Sequence, residues 1–338
     1  MKSRIRILVY LAVIAVVAML CFYPLPYYIT KPGMAEELAP IIKVEDGYHE
    51  KGTFMLTTVR MGRATPLSYG LAKIQDFHEI FPTKQILQQG ESDEDYSTRQ
   101  LHMMDTSKNA AISVAYEAAG KSVSYHNKGV YVTYVVESMP AHGKLHVGDV
   151  VTKVDEKKIQ TAEDLINYVS TKKAGDSVSI YVKRDGKESK HTLKVKAFPD
   201  EPKRVGLGIA LETNQELKVK PDIHIDTEKI GGPSAGLMFS LEIYNQLVKE
   251  DMTKGHRVAG TGTINDKGEV GPIGGISQKI VAADKEGAEI FFAPNEKGAA
   301  GSNYREAVKT AKKINSDMKI VPVDSFSDAV IYLEKLKP

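Results

Sequence analysis

In "EKIGGPSAGLMFSLEIYNQL" (residues 228–247) a serine stands between glycines at the mouth of an apolar helical run, and 45 positions on Lys279 lies within "GEVGPIGGISQKIVAADKEGAEIFFAP" (268–294). A serine hydroxyl is a poor nucleophile until an adjacent base takes its proton. Lysine can be that base only when uncharged near neutral pH, and burial achieves this by penalising the ammonium form. A helix predicted from Ile276 to about Glu286 puts Ile276, Ile280 and Ala283 on one face, and Lys279 falls on that face. Lys285 lies on the polar side with Asp284. Two readings fit the spacing: a desolvated, reactive Lys279, or a lysine that borders the stripe and carries its ammonium out to water.

Histidine-based activation fits less well. "GGPSAG" satisfies G-x-S-x-G, the serine elbow of α/β hydrolases, which needs an acid and then a well-separated histidine downstream. The only histidine after Ser234 is His256, 22 residues on, and the only aspartate between them is Asp251. No sheet of the required size fits there. His224 and Asp226, in "PDIHID", precede the serine and are expected on a strand leading into its loop.

The elements that must position these residues occupy a chain of 338 residues, enough for two or three domains. The net charge of +2 includes +3 from Lys2, Arg4 and Arg6, which leaves about −1 for the rest and no basic footprint for nucleic acid. From Ile7 to Thr30 no charge interrupts 24 residues, more than the ~20 that cross a bilayer as a helix, although Pro24 should end the helix. The expected arrangement is an uncleaved single-pass anchor through residues 7–30. Its cationic tip is cytoplasmic and the chain from Lys31 onward is exported. A signal peptide or lipoprotein site would want small residues where "AMLCFYPLPYY" has bulky ones. Cys21 is the only cysteine, so disulfides and thiolate metal sites are excluded, and no metal or cofactor is expected.

Residues 31–45 read as a polar tether, 52–61 as a strand, and 66–120 as helical, with "ESDEDY" (91–96) as a solvated loop. Tether and N-terminal α/β region together span 31–125. Over 126–198 the chain becomes β-rich: "GVYVTYVVE", then turn and strand, a short helix capped by Thr161, and two alternating strands around Asp185-Gly186. This segment resembles a PDZ domain, through "NKGVYV" and "AHGKLHVGDVVTKVDEKKI". The resemblance implies that an extended peptide adds a strand beside Val130–Thr133, with Gly129 preceding and the N–H groups of Val130 and Tyr131 holding the peptide's end. Many such modules in exported proteases gate substrate instead of gripping it.

From Val205 to Pro338 strands and helices alternate. "GGPSAG" and "GPIGGISQKIVAAD" resemble, residue by residue, the two catalytic motifs of the Lon-type serine proteases. With the anchor and the embedded PDZ module, the whole resembles the YlbL-type PDZ–Lon proteases of Gram-positive bacteria. The implied fold class is α+β: a transmembrane helix, a PDZ β-barrel module (126–198) and a Lon-type proteolytic α/β domain (205–338). The implied activity is endopeptidase cleavage by a Ser234–Lys279 dyad. The resemblance also implies that Thr261 hydrogen-bonds the lysine amine and that Gly231 and Gly232 form the oxyanion and substrate loop. Many relatives carry an aspartate where this chain has Gly231. "AYEAAGKS" (115–122) lacks the first glycine of a phosphate loop, so no nucleotide is expected. The expected partners are peptides or flexible proteins outside the cytoplasmic membrane, cut in a limited, regulatory way. A non-enzymatic PDZ adaptor with a relic protease domain is the rival reading, and an acyltransferase or esterase using the same pair is a third.

Overall fold

The computed structural model describes residues 2–49, 51–227 and 230–337. The N-terminal helix α1 (Lys2–Phe22) is apolar, solvent-exposed from Arg4 to Leu20, and over Arg4–Phe22 long and apolar enough to cross a membrane. The span ends earlier than residue 30. After Pro24 the chain enters β1 (Tyr27–Glu37), where Tyr28, Ile29 and Thr30 are buried against a sheet.

The expected tether at 31–45 is also sheet. Strand β1 runs antiparallel to β3 (Thr53–Arg63), with a bulge between Pro32 and Ala35, and β2 (Ile42–Val44) follows it. Pro32 and Gly33, which suggest a linker in the sequence, mark that bulge. The region 66–120 is only partly helical. Helix α2 (Pro66–Ala72) is short; Phe77 takes a positive φ of 59°, and β4 (Glu79–Pro82) then closes the edge of β1. Helices α3 (Thr83–Ile86) and α4 (Asp93–Ala118) follow. The acidic run is the start of α4, not a loop. Ser92 caps the helix, and Asp93, Glu94 and Asp95 occupy its first turn, where the helix dipole favours negative charge.

A small barrel comes next, built from β5 (Val123–Val135), β6 (Val150–Val154), β7 (Lys157–Lys158), α5 (Ala162–Ser170), β8 (Ser177–Arg184) and β9 (Lys187–Lys194). The short pair β10 (Lys196–Ala197) and β11 (Val205–Gly206) leads into β12 (Ile209–Val219), and the sheet order is β12-β5-β6-β8-β9. Its core of Val130, Val132, Val151, Ile159, Leu165, Ile180 and Leu193 also takes in Leu207, with Ile209 and Leu211 packed on it. The module therefore continues past residue 198, and Val205 belongs to it.

The remainder comprises β13 (Ile223–Ile225), α6 (Gly236–Leu247), β14 (Arg257–Gly260), the pair β15 (Thr263–Ile264) and β16 (Val270–Gly271), α7 (Ile276–Lys285), β17 (Ile290–Pro294), α8 (Asn303–Lys313), β18 (Lys319–Val323) and α9 (Phe326–Glu334). These do not form a sheet by themselves. The order β18-β17-β14-β3-β1-β4 joins C-terminal strands to N-terminal ones, with β14 parallel to β3 and Arg257 opposite Thr53. One core holds Leu38, Phe54, Met104 and Ala111 from the first third of the chain together with Leu237, Phe239 and Phe292 from the last. Residues 31–118 are thus part of the C-terminal layer structure, and the barrel is inserted within it. Strands β5 and β12 make the connection as one antiparallel ribbon, from Val123 opposite Val219 to Val135 opposite Ile209. Val123 and Leu217 pack on the large core; Val130 and Leu211 belong to the small one.

Candidate active site

Ser234 lies two residues before α6, a helix buried on nearly every side, and Lys279 lies in the first turn of α7. The two helices bring Lys279 Nζ to 2.7 Å from Ser234 Oγ. Lys279 is only 3% exposed, which rules out the snorkelling alternative. Among the described residues no carboxylate compensates it: its other partners there are the Thr57 carbonyl at 3.0 Å and Thr261 Oγ1 at 3.0 Å. Burial alone therefore governs its titration and lowers its pKa from 10.5 to about 7.

The hydrogen-bond inventory then fixes the direction of the serine contact. A neutral amine has two N–H donors and one lone pair. The Thr57 carbonyl can only accept. Thr261 Oγ1 spends its own proton on the Ser234 carbonyl at 2.9 Å, so it too accepts from Nζ. Both amine hydrogens are thereby used. The lone pair faces Ser234 Oγ, whose hydroxyl donates to it. This is the arrangement of a general base and its nucleophile.

The serine loop is held from behind by α4. Ser107 Oγ donates to the Pro233 carbonyl at 3.0 Å, and Gly232 N–H donates to the Gln100 carbonyl at 2.8 Å. Gly232, at φ +88°, thus has its N–H committed and does not offer it to an oxyanion. A Cβ on Gly231 would lie 2.9 Å from Gln100 Cβ, so α4 crowds the loop at this position. The backbone N–H groups of Ser234 and Ala235 have no acceptor among the described residues. They face a cleft of about 890 Å³, also lined by Met34, Leu56, Val59, Met61, Met104 and Ile273. Thr57, Gln100 and Ser107 are absent from the sequence-based site, because nothing local marks residues that act from 127 or more positions away. His224 is exposed on β13, paired to β2, and does not line this cleft.

Peptide capture at Gly129, Val130 and Tyr131 is not what the sheet allows. Strand β5 is interior: Val130 pairs with Thr213 on one side and Val151 on the other, and Tyr131 with Glu212 and Val150. Gly129 lies in the same strand at a register shift. No free edge remains there. The edges of this sheet are β12 and β9, and across from the first residues of β12 stands α5. Leu165, Ile166 and Val169 face Leu207, Ile209 and Leu211 across a small apolar groove. The overlooked signal is "GLGI" (206–209), glycines alternating with apolar residues at the head of a strand.

Comparison with known proteins finds two families in succession along the chain. Residues 118–195 match the PDZ domain family, and residues 208–334 match the Lon protease (S16) C-terminal proteolytic domain. The Lon protease of Metamycoplasma arthritidis is 31% identical over 106 residues, covering 31% of this chain and 12% of that protein. That of Campylobacter concisus is 36% identical over 100 residues, covering 29% of this chain and 11% of that protein. The chain thus spans only about an eighth of the length of these relatives. Among solved structures, one from Geobacillus thermodenitrificans is 42% identical, covers 25% of this chain and 95% of its own, and gives a TM-score of 0.23. The PDZ domain of the SdrC-like protein from Listeria monocytogenes is 34% identical, with coverages of 25% and 87% and a TM-score of 0.23. Behind an N-terminal apolar helix, the chain carries a PDZ domain and the C-terminal proteolytic domain of the Lon (S16) serine proteases.

Proposed function

We propose that this chain is a membrane-anchored, ATP-independent serine endopeptidase, with Ser234 as nucleophile and Lys279 as its base. The observation that carries the reading is a buried lysine whose only unused valence faces a serine hydroxyl at 2.7 Å. Lys279 takes the proton as Ser234 Oγ attacks a peptide carbonyl, and the resulting oxyanion meets the N–H groups of Ser234 and Ala235 at the head of α6. The tetrahedral intermediate collapses, the leaving amine takes the proton from the Lys279 ammonium, and an ester remains on Ser234. Water, deprotonated by the same amine, then hydrolyses that ester. Thr261 orients the amine.

Substrate would lie extended along β3. Thr53 N–H bonds His256 on the β14 side, so strand parity turns the backbone groups of Thr57, Val59 and Met61 to that edge, and β14 stops pairing at Leu56. Val59 and Met61 are therefore open to an added strand. The PDZ groove between β12 and α5 holds or gates a second stretch of the same substrate. Such a site accepts only flexible segments: peptides, tails and membrane-proximal stretches outside the cytoplasmic membrane. α1 anchors the protein with its N-terminus in the cytoplasm. The functional units are the anchor, the PDZ module from Val123 to about Thr213, and a protease domain assembled from both flanks.

The test is cleavage of an unstructured protein such as casein by the purified full chain without ATP, beside Ser234→Ala and Lys279→Ala. Cleavage by the parent alone supports the dyad. Equal cleavage by all three refutes it, and a folded, peptide-binding but inert parent favours the adaptor reading. Hydrolysis of esters but not peptides would identify an esterase.

A further inference from the structure

Among the described residues, the short helix α2 and the turn after it leave an apolar face largely exposed. Leu67 and Leu71, one turn apart on α2, and Ile74, in the turn just past its C-terminal cap Lys73, are 48%, 42% and 80% exposed. The opposite face is fixed: Ala72 is buried, and Tyr69 packs on Tyr27 with ring centroids 5.1 Å apart, beside Ile29 and Ala64. The fold thus uses one side of α2 and leaves three large aliphatic side chains in the open.

Position identifies what covers them. Leu25 N–H bonds the Ala64 carbonyl at 2.8 Å, and Ala64 N–H bonds the Tyr27 carbonyl at 2.8 Å. The segment leaving α1 is therefore tied to the residue directly before Thr65, the cap of α2. A bilayer that holds α1 up to Phe22 necessarily lies beside α2. The flanking chemistry suits that level. Tyr23, Tyr27 and Tyr69 gather there, rings that settle at membrane–water boundaries. Lys73 follows the helix with its Nζ 4.8 Å from the Tyr69 ring centroid, within reach of lipid phosphates. The nearby Asp76 is paired with Lys313 at 3.1 Å, which offsets part of the acidic charge on this side, where Glu79 also stands.

We propose that Leu67, Leu71 and Ile74 rest in the headgroup–acyl boundary of a phospholipid bilayer, giving the protein a second membrane contact beside α1. This rests on the reading of α1 as a membrane anchor. A contact on each side of the hinge at Pro24 stops the domain from swinging on its anchor and keeps the protease cleft, whose wall includes Thr30, near the lipid surface.

Depth labelling of the full chain tests it. In a Cys21→Ser background, Val13→Cys, Ile74→Cys and Lys187→Cys would each carry an environment-sensitive fluorophore. The labelled proteins are reconstituted into vesicles of phosphatidylcholine and phosphatidylglycerol. The quencher is a lipid with a doxyl group just below its headgroup, or one with the group near the chain end. The expected result is a blue shift at Ile74→Cys with loss of intensity mainly to the shallow quencher, quenching by the deep one at Val13→Cys, and neither at Lys187→Cys on the distant hairpin. Quenching at Val13→Cys, with Ile74→Cys as wet as Lys187→Cys, overturns the α2 contact and leaves the anchor standing. No quenching at Val13→Cys removes the anchor and the proposal together.

Discussion

The dyad and the PDZ groove treat water in opposite ways. The Lys279 amine has each of its own polar valences met within the protein and is buried from solvent, which is why it loses its charge. The PDZ groove keeps a strand edge unpaired and Ile166 56% exposed. A catalytic base needs a finished environment, whereas a recognition strand needs an unfinished one that the ligand completes. Both hang on shared elements: α4 backs the serine loop, and the β5–β12 ribbon runs from one core into the other.

The largest effect should come from breaking the finished side. Ser234→Ala and Lys279→Ala should each lower kcat by at least ~10³-fold with unchanged circular dichroism. Peptide binding in the PDZ groove, read by fluorescence anisotropy, should stay as it was.

The same burial gives a pH signature. Because Lys279 acts as the neutral amine and titrates near 7, kcat/KM should rise with pH through about 7 and level off above it. The stability contribution has a definite sign. In the unfolded chain this lysine binds its proton up to about pH 10.5, so between about 7 and 10.5 the unfolded state holds more protons and stability rises with pH. Below 7 the folded protein carries the full penalty of a buried ammonium. Lys279→Met, inert as an enzyme, should therefore melt higher than the parent, and the gain should be larger at pH 6 than at pH 9. Thermal melts at the two pH values check it; a gain that grows with pH would contradict the buried-amine account.

A smaller change tests the support. Ser107→Ala frees the Pro233 carbonyl beside the nucleophile, and losing one such bond, about 1 kcal/mol, should lower kcat roughly five- to tenfold with little change in KM. On the open side, Ile166→Glu puts a charge in the groove without touching the core. It should raise KM about tenfold for a protein cut through a PDZ-bound tail and leave short peptides unaffected, as steady-state kinetics on the two substrates would reveal.

What the sequence disclosed follows the same contrast. The serine and lysine motifs are local, each a loop feeding a helix; the apolar stripe alone leaves Lys279 open between burial and snorkelling, and the motif resemblance decides it. The small barrel's hairpin, its helix cap at Thr161 and its existence were equally local. Sheet neighbours were not. "GVYV" and "GLGI" both read as strand heads, and which of them is the edge depends on a pairing some 80 residues apart. Strand β1 looks like tether because Pro32 and Gly33 resemble a linker, and the sheet it joins is completed by β14, which pairs with β3 from about 200 residues on. The acidic run reads as loop until Ser92 is recognised as the cap that turns it into a helix start.

The smallest predicted effect asks whether the two regions are coupled or merely adjacent. His102 on α4 stacks on Tyr131 with ring centroids 3.7 Å apart and an interplanar angle of 4°, and its Nε2 lies 3.0 Å from Glu212. This contact draws the Glu212 carboxyl below its usual pKa, mainly through the hydrogen bond to the ring. Two residues earlier, the Gln100 carbonyl holds Gly232 N–H next to the nucleophile. His102→Gln removes the ring stack at a half-exposed site, a loss of about 1 kcal/mol, which should lower Tm by about 2 °C. If the β5–β12 ribbon alone sets the module's place, kcat should stay within about twofold of the parent. That is the expected result, because the ribbon is paired over its whole length and enters both cores. A fall in kcat well beyond the fall in stability would make α4 a lever between the groove and the serine, and the contrast between a finished site and an open one would then describe two ends of one mechanism.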